Sequence, residues 1–417
     1  MNTVRSVWLF ASSVVLVACG RNAQPNEPSN VNAPSVCVVL SVGSEKGLSH
    51  LGVLTALHDH GVRVDCVAGN SMGALVGGLY AASPNADPVE TYQKVMNRYY
   101  KQTVRDASFF GVNVVDWERM RNVLRTHLDG QRIEALSVNF LTGYQRANND
   151  GIRYESVRGG VLADELARSI RNPLLFKELK LESGQPFDPG ADRLSATSLD
   201  EACRAFPDRH FVVSNVTGSE AIVSRDSQCV YDELMIKSAI GHADEQKRNA
   251  LMGKNPEFTA LIQAGYEAAE QKLPWRQLGG VAVAKAPLQF LRLRVESTFA
   301  KTKANGKRWD EGFFEGAAPD PMIRVTVESC KTCDTYASSL GRFENKGLSG
   351  YSHVAEFVLR VRKGFPVNVE VVDLDGTSED RLNVLEIVMD GPMSTRKDSE
   401  EGTVVVTVSP ETGLLPG

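Results

Sequence analysis

The sequence predicts two folded units in tandem, a mixed α/β domain followed by an all-β one, on three observations. From Val38 to Ala82 an apolar strand, a glycine-containing loop, a helix closed by Gly61, a second strand and a second helix follow one another without a break, the alternation of a layered α/β fold. A last helical stretch starts at the cap Asn255-Pro256, places Phe258, Leu261, Ile262, Tyr266 and Ala269 at helical spacing, and stops at Pro274. From Pro287 the apolar period drops to two: Leu291, Leu293 and Val295, then Ile323, Val325 and Val327, then Val367, Val369 and Val371, with Thr403 to Val408 closing the chain. Short alternating strands separated by turn residues predict a β-sandwich.

Taken in order, residues 1–18 have Arg5, an apolar run from Val7 to Val17 and the small residue Ala18, the layout of a secretory signal. Leu16-Val17-Ala18-Cys19 resembles a bacterial lipobox, which implies lipidation of Cys19 and export. Gly20, in place of Asp, implies the outer membrane. Residues 19–35, rich in Asn, Pro and Ser, read as a disordered tether reaching roughly 20–25 Å. A net charge of −5 without a basic stripe argues against nucleic acid as a partner. Of seven cysteines, setting Cys19 aside leaves six: Cys37, Cys66, Cys203, Cys229, Cys330 and Cys333. In an exported chain these permit disulfides of open connectivity, with Cys37 and Cys66 candidate neighbours on the strands flanking the first helix. Cys330-Lys-Thr-Cys333 has no second C-x-x-C and reads as a local disulfide or two thiols rather than a redox or zinc site.

The chemistry concentrates at Gly69-Asn70-Ser71-Met72-Gly73. A serine between two glycines, after an apolar strand (Val62, Val64, Val67) and before small helix-forming residues (Ala74, Leu75, Ala81, Ala82), is the nucleophile-elbow pattern. The following helix directs its N–H groups and the positive end of its dipole at a developing oxyanion.

The segment resembles the patatin-like phospholipase family, whose members carry a GGGxRG loop, a helix, and then the G-x-S-x-G turn. The resemblance covers residues 36–275, strongest at the front and in the closing helix ALIQAGYEAAEQKL. It implies a three-layer α/β/α fold, a Ser–Asp dyad without histidine, and hydrolysis of phospholipid or other acyl lipid with no cofactor for the chemistry. Ser71 falls on the nucleophile, with Gly69 and Gly73 as its elbow. The glycine loop falls on residues 42–47: Gly43 and Gly47 are kept, Val42 and Ser44 stand where the family has glycines, and Lys46 where it has arginine. The family's second catalytic residue, an Asp in a D-G-G or D-G-A motif, is best matched by Asp188-Pro189-Gly190. There Pro189 restricts Asp188 to extended angles and removes one N–H.

A Ser–His–Asp triad of Ser71, Asp188 and His210 is allowed by chain order, but a single strand precedes the elbow's own, and His210 sits at the start of the strand Phe211-Val212-Val213. The dyad is the better reading: Asp188 takes the proton of Ser71, an acyl-enzyme forms, and backbone N–H groups around Gly43 and Ser44 hold the oxyanion. Residues 83–180 read as mostly helical and shape the acyl-chain entrance. The rival reading is a weak or inactive surface scaffold, favoured by the departures at residues 42, 44 and 189. A non-lipid esterase or thioesterase is a third.

Residues 276–286 read as a linker and 287–417 as the sandwich. Asp320-Pro321-Met322-Ile323-Arg324-Val325 resembles the D-P-Y-V-K-V segment of C2 domains, and Asp373-Leu374-Asp375 with Asp380 resembles their calcium loop. That resemblance implies calcium held by Asp310, Asp320, Asp373, Asp375 and Asp380 at one end of the sandwich, and docking on a membrane. The alternative is that these acids only solvate loops.

Overall fold

A computed structural model describes residues 34–107, 117–148, 151–173, 176, 183–188, 193–217, 220–225, 228–237, 247, 250–251, 257–284, 287–299, 321–327, 335–337, 344–345, 351–375, 378–388, 390–399 and 402–411. The signal, residues 19–33 of the expected tether with Cys19, Pro189, Asp310, Asp320, Cys330 and Cys333 lie outside the described residues, whereas Ser35, the last residue of that tether, is buried against the fold rather than disordered.

Strand β1 (Val36–Leu40) is apolar throughout because both its faces are covered. Val36, Val38 and Leu40 join the core on one face, and Cys37 and Val39 the core on the other. Helix α1 (Ser49–Asp59) ends at Gly61, whose φ of 69° lets Val62 N–H turn back to the Leu57 carbonyl at 2.9 Å. β2 (Val64–Gly69) leads into α2 (Met72–Ala82), and the chain continues through α3 (Pro88–Ala107) and α4 (Trp117–Leu128). Next come β3 (Asn139–Asn148), β4 (Gly151–Val157), α5 (Leu162–Ser169), β5 (Pro186–Phe187), α6 (Arg193–Ala205), β6 (His210–Asn215), β7 (Val230–Met235) and α7 (Glu257–Lys272).

These strands form one seven-stranded sheet in the order β4-β3-β2-β1-β6-β7, with β5 on β3. From β3 to β7 the neighbours run parallel, whereas β4 and β5 pair antiparallel to β3. Helix α6 packs on the Cys37 face and the other helices supply the core of the opposite face, giving the three layers expected. Disulfides join Cys37 to Cys66, register partners on β1 and β2, and Cys203 in α6 to Cys229 just before β7.

The largely helical expectation for residues 83–180 is corrected: β3 and β4 form a hairpin in its middle. The β-favouring residues Phe140, Thr142, Tyr144, Ile152 and Tyr154 drive it, and Gly151 at φ 117° helps turn it.

The second unit begins with β8 (Leu288–Phe299) and continues with β9 (Pro321–Val327), β10 (Thr335–Ala337), β11 (Glu344–Asn345) and β12 (Tyr351–Arg362). It closes with β13 (Pro366–Asp375), β14 (Ser378–Val388), β15 (Met393–Asp398) and β16 (Gly402–Pro410). Two antiparallel sheets, β10-β9-β13-β14 and β11-β12-β8-β16-β15, enclose a core of the alternating residues read from the sequence, from Leu291 and Ile323 to Val367 and Val406.

The sandwich does not hang from a free hinge. Residues 34–417 form one compact unit, and Leu288 and Phe290 of β8 belong to the core of the α/β domain. The stretch after α7 is pinned too: Trp275 stacks on His60 with centroids 3.7 Å apart, and Val281 N–H donates to the His60 carbonyl at 2.9 Å. Arg362 pairs with Asp59, the last residue of α1, and with Asp87 at 3.1 Å, while Arg360 lies over the Phe258 ring and donates to Gln93. Burial opposes the charge of Asp87, but Arg360 and Arg362 outweigh it and hold the carboxyl below its ordinary value.

Candidate active site

Leu40 and Gly69 are register partners, so the loop leaving β1 and the turn leaving β2 emerge side by side at one edge of the sheet. Ser71 stands in that turn at φ 54°, ψ −126°. Such a backbone costs a residue with a Cβ about 1–3 kcal/mol and persists only where its surroundings enforce it. Here the enforcement is backbone against backbone. A Cβ on Gly73 would lie 2.3 Å from the Leu40 carbonyl oxygen, and one on Gly69 would lie 2.7 Å from the Gly73 carbonyl carbon. Only glycine permits α2 to start this close to β1. The side chain of Ser71 is then presented at the head of an 11-residue helix, with Leu75 N–H bonded to the Ser71 carbonyl at 3.1 Å.

The glycine loop is built against this turn. A Cβ on Gly47 would meet the Met72 Cγ at 2.4 Å, and one on Gly43 the Val216 Cγ2 at 2.4 Å. Lys46 N–H donates to the Gly43 carbonyl at 2.9 Å inside a 3-10 turn over Ser44–Leu48. Ser44 takes φ 47°, the left-handed region in which a glycine is strain-free. The replacement seen in the sequence therefore leaves the loop in the glycine conformation. Val42, buried, donates its N–H to Ser195 Oγ of α6 at 3.1 Å.

His50 fixes the loop from below. It is fully buried, and its Nε2–H donates to the Ser41 carbonyl at 2.9 Å, leaving Nδ1 to accept from the Ser214 hydroxyl at 2.8 Å. That assignment follows because a carbonyl can only accept. Burial lowers its pKa to about 4, so the ring is neutral near pH 7.

Asp188 is buried, at 1 % exposure, one residue past β5. β5 runs antiparallel along β3, with Phe187 opposite Gln145, which brings Asp188 alongside Tyr144. Its N–H donates to the Arg171 carbonyl at 2.9 Å. Two residues before Arg171, Ser169 accepts the Ser71 N–H at 3.1 Å and donates to the Gly143 carbonyl at 2.9 Å. The main-chain N–H groups of Ser71 and Asp188 are thus tied to residues two apart, Ser169 and Arg171, where α5 ends against β3. Ser169 was invisible as a site residue in the sequence, because its partners are 98 and 26 positions away. Asn70 was also missed. It donates to Ser198 Oγ at 2.7 Å and accepts from the Tyr154 hydroxyl at 3.2 Å, tying α6 and β4 to the elbow. A cavity of about 270 Å³, which Asp188 does not line, lies between α4, the end of α5 and β5, against Trp117, Glu118, Arg121, Asp164, Arg171 and Pro186.

His210 is not brought to Ser71. It pairs with Val36 at the other end of β1 and bonds Asp232 at 2.8 Å. Four residues of parallel strand separate that level from Leu40, roughly 13 Å. The triad alternative fails on this distance.

Of the expected calcium ligands, Asp373, Asp375 and Asp380 lie on the β13–β14 hairpin, where Asp373 pairs with Asp380 and with Pro321, the residue after Asp320. Among the described residues no group of three metal-ligating side chains is gathered.

The sequence of residues 38–215 matches the patatin-like phospholipase family model. A patatin-like phospholipase domain-containing protein of Caenorhabditis elegans is 36% identical over 93 residues, 22% of this chain and 6% of that one. Lysophospholipase NTE1 of Scheffersomyces stipitis is 51% identical over 51 residues, 12% of this chain and 3% of that one. The chain thus spans only a small fraction of the length of these curated relatives. Among solved structures, VipD from Legionella pneumophila is similar over 57% of this chain and 66% of its own, at 10% identity and a TM-score of 0.26. A C2 domain is similar over 29% of this chain and 96% of its own, at 16% identity and a TM-score of 0.21. Residues 38–215 are a patatin-like phospholipase domain.

Proposed function

We propose that the protein is a lipid acyl hydrolase of phospholipase A type working through a Ser71–Asp188 dyad. The observation that carries the reading is the enforced backbone of Ser71, held at φ 54° by glycines packed on β1 at the head of α2. Strain of this kind at a strand-to-helix turn serves to present a nucleophile. Asp188 takes the Ser71 proton as Oγ attacks the ester carbonyl, and N–H groups of the Gly43–Ser44 loop hold the oxyanion. The proton passes to the leaving alcohol as it departs, and water then releases the fatty acid. The test is hydrolysis of mixed phospholipid vesicles by the full chain, with fatty acid and lysolipid read by mass spectrometry. Ser71→Ala should lower release by roughly three orders of magnitude or more. Equal release by the two proteins would remove the reading and favour the scaffold, with Ser44 as the first suspect.

Two further parts belong to the same proposal. The acids around Asp373 and Asp380, with Asp310 and Asp320, are a ligand set suited to calcium, which takes six to eight oxygens. The strand register supports this by placing Asp373 between Asp380 and Pro321. Calcium would supply charge for lipid docking and take no part in hydrolysis. The leader and Cys19 would hold the protein on a bacterial outer membrane, which labelling with a radioactive or alkyne fatty acid, and its loss in Cys19→Ala, would test.

A further inference from the structure

The buried stripe of helix α6 is divided in two. Ser195, Ser198, Leu199 and Ala202 stand at the i, i+3, i+4, i+7 spacing of one helix face, and all four are buried. The apolar half, Leu199 and Ala202, packs with Cys37, Val39 and Cys66 on the sheet, and the Cys203–Cys229 disulfide fixes the helix just beyond it. The other half is polar, and a buried hydroxyl costs stability unless it is hydrogen-bonded. Both hydroxyls are bonded, each to one of the two loops that leave the sheet at the edge carrying Ser71.

Ser195 Oγ accepts the Val42 N–H in the loop leaving β1. Ser198 Oγ accepts from Asn70 Nδ2 in the turn leaving β2, and donates to the Leu194 carbonyl at 3.0 Å. The Asn70 amide reaches that same carbonyl at 3.1 Å. Residues three apart on a helix have Cβ atoms about 5–6 Å apart, and neighbouring strands lie about 4.8 Å apart. One step along α6 therefore matches the separation of β1 and β2, which stay paired up to Leu40 and Gly69. The stem of the glycine loop is fixed on its other sides too, since His50 holds the Ser41 carbonyl and the Ser214 carbonyl accepts the Ser41 N–H at 3.0 Å. With its own N–H engaged by Ser195, Val42 is not a donor to an oxyanion, and the donor set starts at Gly43. The same helix begins at Arg193, five positions after Asp188.

We propose that α6 is a gauge that sets the gap between the oxyanion loop and the nucleophile, with Ser195 and Ser198 as positioning residues. Ser195 fixes the loop through Val42, and Ser198 fixes the elbow through Asn70. The inference rests on the dyad reading for its chemistry: the attacked carbonyl has to fit between Ser71 Oγ and the N–H groups from Gly43 onward. A misplacement of about 1 Å in such a site costs on the order of a hundredfold in rate. The gauge acts on the bound ester as it reacts rather than on its capture, so its loss falls on kcat and spares KM.

The experiment compares the full chain with Ser195→Ala, Ser198→Ala and a control, Ser224→Ala, which removes a hydrogen bond to Asp200 elsewhere on α6. Steady-state hydrolysis of water-soluble p-nitrophenyl butyrate gives kcat and KM, and hydrogen exchange read by mass spectrometry follows the two loops without reference to catalysis. Ser195→Ala and Ser198→Ala should each lower kcat roughly ten- to hundredfold, with KM changed by less than about threefold. Ser224→Ala should keep the wild-type kcat. The peptide spanning residues 41–48 should exchange faster in Ser195→Ala, and the peptide spanning 69–75 in Ser198→Ala. Wild-type kcat in either of these two variants, or an equal fall in Ser224→Ala, would overturn the proposal. If the wild type hydrolyses neither this ester nor phospholipid vesicles, the hydrolase reading fails on its own. Exchange then decides the gauge: faster exchange in the two peptides upholds it, and wild-type exchange in both overturns it.

Discussion

The edge that carries Ser71 and the attachment edge of the α/β domain are held by different physics. Around Ser71 the hydrogen bonds that fix the backbone are between neutral groups: hydroxyls of Ser169, Ser195, Ser198 and Ser214, the Asn70 amide, and glycine backbone pressed on backbone. At the other edge buried charge dominates, with Arg362 between Asp59 and Asp87 and Arg360 over Phe258. Neutral short-range bonding can hold a strained serine in place and leave Asp188, in the proposed dyad, as the charge that acts on it. Buried ion pairs hold two domains in one orientation, and they punish the loss of either partner.

Arg362→Met should give the largest effect. It leaves Asp59 buried and Asp87 half-buried without their guanidinium and should cost about 3–5 kcal/mol in urea unfolding. A change below 1 kcal/mol would mean that water reaches the joint and that the sandwich is looser than described.

Acid should come next, and it separates the two edges. His50 is buried neutral with a pKa of about 4, against about 6.5 when unfolded, so the unfolded chain binds a proton that the folded one refuses. Stability is complete above pH 6.5 and falls as the pH drops towards 4, by at most about 3 kcal/mol. Asp87 follows at lower pH: its carboxyl lies below its ordinary value, so its contribution is present above about pH 3.9 and is lost beneath it. His50→Gln should flatten the upper limb and leave the lower one. Urea midpoints measured from pH 7 to 3 would show this, and an unchanged upper limb would acquit His50.

Gly73→Ala should cost about 1–3 kcal/mol, since its Cβ collides with the Leu40 and Ser41 carbonyls rather than with a movable side chain. It should also remove fluorophosphonate reactivity. The smallest effect is expected of Ser44→Gly. It relieves a left-handed φ and should stabilise by up to about 1 kcal/mol in thermal unfolding. A loss of stability would show that the Ser44 side chain contributes something to the loop.

Much of this was legible in the sequence where the information is local. The elbow was readable because Gly69, Ser71 and Gly73 lie within five residues, and the sandwich core because period two survives in each strand. The attachment was not. On β12 Arg360 and Arg362 alternate with Leu359 and Val361 and so read as solvent-facing, but that face is covered by the α/β domain. Ser169 and the hairpin were missed for a related reason: a serine at a helix end and a mixed polar strand acquire their roles only from partners far along the chain.

The central claim is that Ser71 is an activated nucleophile. It is tested most directly by incubating the full chain with a fluorophosphonate and locating the adduct by peptide mass spectrometry. An adduct on Ser71 that is lost in Ser71→Ala and strongly slowed in Asp188→Asn, yet kept in His210→Ala, is the predicted result. An intact Ser71 peptide under conditions that label a serine hydrolase control, or labelling that depends on His210 and not on Asp188, would contradict it.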